Sequence, residues 1–174
     1  QTICQFSGSS SQISVFLREL DDTSKVSLEF HILSASNNQN FHSYVSGSIE
    51  KNKFSHISLV YPADQTNTEL KPIDQQKLLM YVDGQLKFKS EQKTTFGDLK
   101  ILGPQNFIIG SGSRMHIPNH SDQTHNISST YFTPTCPFSG SLDEFRYYHR
   151  YRGKTEIFDN MRKNVFNDND LMLY

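Results

Sequence analysis

Toward its C-terminal end the chain reads FSGSLDEFRYYHRYRGKTEIFDNMRKNVF. Arg146, Tyr148, Arg150 and Arg152 follow at every second position behind the acidic pair Asp143 and Glu144. On an extended segment, alternate side chains share a face. Glu144, Arg146 and Tyr148 then fall on one side, with Arg150, Arg152 and Lys154 beyond them, and Phe145 and Tyr147 on the other. Guanidinium forks beside tyrosine rings suit a sulfated or acidic glycan, or an acidic protein partner. The plainer alternative is a polar strand face whose arginine stems cover apolar surface.

Other residues carry weaker chemistry. Asp143 and Glu144 are candidate oxygen ligands for calcium, or an acid pair in a cleft. His116, His120 and His125 stand four and five apart. Zinc needs three or four ligands with a supporting outer shell, and their Ser- and Thr-rich surroundings favour a solvated loop. Cys4 and Cys136 each open a similar string, CQFSGS and CPFSGS. A bond between them would close a long loop, worth about 4–5 kcal/mol in the chain-entropy picture. Two free thiols are the alternative, and cysteines at the starts of two antiparallel neighbours would lie at opposite ends. Asn119 (NHS) and Asn126 (NIS) are acceptor sites for glycosylation in one polar loop, which points to an extracellular or cell-surface setting.

Composition bounds the rest. A chain of 174 residues suits one domain with a full core, and 13 Phe and 8 Tyr supply material to bury. A formal charge of −1 gives no global field toward nucleic acid or anionic membrane. Mean hydropathy is −0.57, and no apolar run reaches the ~20 residues of a membrane span. The start, QTICQFSGSS, has neither the basic nor the apolar region of a signal peptide; a processed chain or an excised domain would read the same.

The elements that must position these residues are strands. SQISVFLREL alternates over Ile13, Val15 and Leu17, and KVSLEFHIL over Val26, Leu28, Phe30 and Ile32, with Ser27, Glu29 and His31 on the other face. FHSYVSGSI, FSHISLVYP, KLLMYVDGQLKFKS, GDLKILGP, QNFIIGSG and SLDEFRYYHR continue the pattern. Period-two alternation bounded by Gly, Asn, Asp, Ser and Pro predicts half-buried antiparallel strands. Asp83-Gly84 between two such runs predicts a two-residue type I′ hairpin. One helix is expected in GKTEIFDNMRKNVF, where Ile157, Met161 and Val165 share a face and Thr155 stands as a cap. Ala63–Gln76 and Ser111–Thr135 read as long connections.

In this order the strings resemble the laminin G-like, concanavalin A-like jelly-roll domains. The resemblance rests on His56, Tyr81 to Gly84, Ile109-Gly110, Phe138, Gly140, Asp143, Glu144, Arg146, Glu156, Ile157 and Met161, with CQFSGSSSQISV as the opening strand, and spans nearly the whole chain. It implies an all-β antiparallel jelly-roll sandwich with one short C-terminal helix, as a single domain over 1–174 excised from a larger protein. It also implies a non-catalytic recognition or adhesion module for a protein or glycan. A structural domain of a large intracellular scaffold, or a calcium-dependent lectin, are the alternatives. In family terms Asp143 and Glu144 tie the closing strand to a loop or to Arg146, and serine replaces the frequent early acidic residue in FSGSSSQI. The same fold hosts β-glucanases, whose strand resembles E-x-D-x-x-E. The nearest string here, ELDDTS from Glu19 to Ser24, lacks the final glutamate, so no enzyme is expected.

Overall fold

The structure is a computed structural model that describes residues 1–8, 11–36, 39–62, 75–91, 94, 96, 107–116, 131–164 and 169–173. It is built almost entirely of antiparallel strands. β1 (Thr2–Ser7), β2 (Ser11–Glu19), β3 (Lys25–Ser36) and β4 (Gln39–Glu50) run as a meander. With β8 (Phe107–Ile109) they form a five-stranded sheet in the order β4-β3-β2-β1-β8. β5 (Ile57–Val60), β6 (Leu79–Val82) and β7 (Gln85–Lys89) form a three-stranded sheet in chain order. Two short pairs complete the strands: β9 (Met115–His116) with β10 (Tyr131–Phe132), and β11 (Tyr147–Tyr148) with β12 (Leu171–Leu173). The one helix among the described residues, α1, is Lys154–Asn160.

Alternation explains the layers. Val15, Leu28, Phe30, Ile32 and Val45 project from the five-stranded sheet into one cluster that also holds Leu78 and Met80 of the β6 segment. Gly47 of β4 lets the second sheet approach: a Cβ there would stand 2.2 Å from the Phe88 ring of β7. Leu79 and Tyr81 point the other way, into a second cluster with Val60 and Ile157 of α1. The three-stranded sheet therefore lies between the larger sheet and the helix. Each fully buried side chain of this kind contributes roughly 1.5–3 kcal/mol of transfer free energy.

The hairpin expected at Asp83-Gly84 is present, with φ of 51° and 73° at its two turn residues. Other expectations need correction. The closing strand is extended only over Tyr147–Tyr148, because Glu144 takes φ of 49° and breaks the run. The helix is shorter than the apolar spacing suggested, and Val165 lies outside the described residues. Its cap is Gly153 rather than Thr155: the Glu156 carboxylate accepts the Gly153 N–H at 3.2 Å. The long Ser111–Thr135 connection has a paired base, β9 against β10, while Asn119, Asn126, His120 and His125 lie outside the described residues. No helix among the described residues is long and apolar enough to cross a membrane.

Candidate functional site

The C-terminal arginines are brought together, but with carboxylates among them. Arg146 binds the Glu144 carboxylate and donates to the carbonyls of Asn160 at 3.0 Å and Lys163 at 2.5 Å, at the end of α1. Its side chain is only 10% exposed. Arg150 binds Asp170, just before β12, and Glu156 of α1 at 2.9 Å. Arg152 lies 4.2 Å above the Tyr148 ring and 3.5 Å from Glu156. Each guanidinium is thus matched within the chain. The group fastens α1, β11 and β12 to one another, and the guanidinium most open to solvent is that of Arg150, whose side chain is 46% exposed although two carboxylates hold it.

The acidic pair diverges. Glu144 turns to Arg146, and Asp143 stays exposed. One free carboxylate is far from the six to eight oxygens calcium takes. Among the described residues no three His, Cys, Asp or Glu side chains converge where a metal could sit.

The two cysteines are free thiols, Cys4 buried and Cys136 exposed. Their segments are not antiparallel neighbours; Thr2 and Pro137 form a parallel bridge. That register sets Cys136 level with Gln1, about 10 Å along the strands from Cys4, beyond the roughly 7 Å that a disulfide spans. Burial pushes the Cys4 thiol up to about 12, so it stays protonated and inert.

A different site lies on the second face of the five-stranded sheet, which the sequence pattern presented simply as polar. Its residues are deeply buried: Glu29 is 1% exposed and His31 is 0%. Strand register assembles them. Arg18 of β2 stands opposite Ser27, diagonal to Glu29 of β3, and His31 stands opposite Tyr44 of β4. An Arg18 guanidinium nitrogen is 2.6 Å from Glu29 Oε1, and Glu29 Oε2 is 3.1 Å from His31 Nε2. His31 Nδ1 is 3.0 Å from His42 Nε2. An ionised Glu29 only accepts, so His31 carries its proton on Nε2 and its Nδ1 lone pair takes the His42 Nε2–H. Burial holds His31 below the ordinary histidine range, outweighing the Glu29 carboxylate that pulls the other way.

Rings stack along the same face. Phe16 and His31 lie 4.6 Å apart between centroids, His31 and Tyr44 5.2 Å, and His42 and Tyr44 5.9 Å. At the β1 end, Gln5 donates to Ser14 Oγ at 3.1 Å and accepts from Ser113 N at 2.8 Å, tying the segment before β9 to this face. The arrangement fixes one protonation pattern and one strand register. A signal for it existed in the sequence: arginine, glutamate and two histidines lie among the polar positions of three consecutive strands. It becomes decisive only with the register in hand.

No family model, no curated protein and no solved structure matches this chain.

Proposed function

We propose that the chain is a non-catalytic recognition module of a larger cell-surface or secreted protein, built as a laminin G-like jelly roll, that binds a protein or glycan partner. What supports the reading most is the outer edge of the five-stranded sheet. β8 pairs with β1 on one side and with no described strand on the other. Its Ile108 and Ile109 are 41% and 49% exposed. Proteins usually blunt such edges with charge, proline or a covering loop. An apolar edge held rigid by a deep core is a docking line for an extended partner segment. The arginine group becomes the secondary candidate, since its forks already hold carboxylates.

The test is a binding screen of extracellular proteins and glycans against the parent and two variants. The reading expects a partner whose affinity is lost in Ile108→Lys/Ile109→Lys and kept in Arg150→Ala. If the edge variant binds every partner as the parent does, the assignment fails.

A second reading, a structural domain of an intracellular scaffold, is favoured by the free thiols of Cys4 and Cys136, which suit a reducing compartment. Intact mass of the protein from its native source separates the two. Glycan at Asn119 or Asn126 supports the surface reading, and bare asparagines with two thiols support the scaffold.

A further inference from the structure

Three of the exposed large apolar side chains stand at one end of the three-stranded sheet. Phe54 is 76% exposed, the most of any large apolar residue described, and follows a turn at Asn52 with φ of 59°. The chain just after it is fastened to the β6–β7 hairpin. His56 N donates to Asp83 Oδ1 at 3.0 Å, and Asp83 N donates back to the His56 carbonyl at 2.8 Å. Phe158 of α1, 56% exposed, abuts the same hairpin: a Cβ on Gly84 would stand 2.7 Å from its ring. Leu86, 36% exposed, lies two residues beyond, opposite Tyr81 and therefore on the helix side of the sheet.

Cations flank each of these groups. Lys51 and Lys53 bracket the turn before Phe54, and Lys87 follows Leu86; all three are exposed. Lys154 lies one helical turn before Phe158 on its side of α1, and Arg162 lies just past the end of the helix; both are exposed. Of the acidic residues nearby, Asp21 and Asp22 lie in the β2–β3 turn whose Ser24 carbonyl accepts the Lys51 N–H, and Asp22 pairs with Lys25 at 3.5 Å. Asp83 accepts the His56 N–H, and Glu50 makes only a solvent-exposed pair with Lys53 at 3.4 Å. Asp159 points about 100° away from Phe158 around the helix.

We propose that this hairpin-tip end is an interfacial membrane-binding surface for anionic lipid bilayers. Protruding aromatics ringed by lysines match what a bilayer surface takes up. The rings enter the headgroup boundary, the lysine stems lie along it, and the ammonium groups meet lipid phosphates and carboxylates. A protein partner would instead call for aromatic anchors enclosed by neighbours that exclude water, and Phe54 stands out into solvent with no such rim.

Vesicle co-sedimentation of the full chain tests this, with phosphatidylcholine–phosphatidylserine vesicles against phosphatidylcholine alone. The expected result is sedimentation with the mixed vesicles only, weakened by added salt. Binding should fall about tenfold or more in Phe54→Ser/Phe158→Ser, and likewise in Lys51→Gln/Lys53→Gln/Lys154→Gln. These positions are exposed, so the variants should melt as the parent does, which circular dichroism checks. No sedimentation with mixed vesicles at low salt overturns the proposal. So does a phenylalanine variant that binds them undiminished, or a parent chain that binds polyglutamate but not vesicles.

Discussion

At the scale of single residues, the most constrained side chains are the charged ones that lie inside. Glu29 is buried with Arg18 on one oxygen and His31 on the other. Such a pair adds little net stability over an apolar replacement, but breaking it strands a charge, typically at 3–5 kcal/mol. Arg18 keeps 23% of its side chain in solvent, so Arg18→Ala should cost about 3 kcal/mol. Arg18→Met/Glu29→Leu should recover part of that loss, and urea unfolding of the parent and the two variants measures it. A double variant less stable than Arg18→Ala would mean that the pair does not act as a unit. The C-terminal arginines separate in the same way. Arg146 satisfies two backbone carbonyls and is nearly buried, so Arg146→Ala should cost about 2 kcal/mol. Arg150→Ala, at an exposed position, should cost under about 1 kcal/mol. Equal losses would contradict these assigned roles.

At the scale of elements, the close approach of β4 and β7 depends on one missing side chain. Gly47 lies opposite Leu28 and beneath Phe88, so even Gly47→Ala forces the Phe88 ring aside, at about 1–3 kcal/mol. Restoring room with Phe88→Leu in the same chain should return part of the stability, and a thermal melt of the single and double variants reads it. The strands themselves were legible because each is half-buried at period two, and Asp83-Gly84 named its own turn. The closing strand was not, because positive φ at Glu144 leaves no mark in the alternation of FSGSLDEFRYY. The helix cap was missed for a related reason: Thr155 has the better capping side chain, but the Glu156–Gly153 contact settles the start two residues earlier. The buried polar face was hidden by its composition. Ser27, Glu29 and His31 look like residues for water until Arg18 and His42 are set beside them by strand register.

At the scale of the whole molecule, the five-stranded sheet is buried on both faces, one apolar against the smaller sheet and one polar around Glu29 and His31. This ties stability to pH. His31 has a folded pKa below its ordinary 6.5, chiefly from burial, and His56 shifts the same way from burial and then from Arg146. Below about pH 6.5 the unfolded chain gains protons that the folded chain does not, so stability must fall as the pH drops toward the folded value. The urea midpoint should decline as the pH is lowered below about 6.5, and less steeply in His31→Gln. The most direct measurement of this second buried face is nitrogen–proton correlation spectroscopy on the His31 imidazole. The account predicts a neutral ring with its proton on Nε2, whose signals stay fixed as the pH is lowered through about 6.5. A ring that titrates there like an exposed imidazole, or that carries its proton on Nδ1, would contradict it.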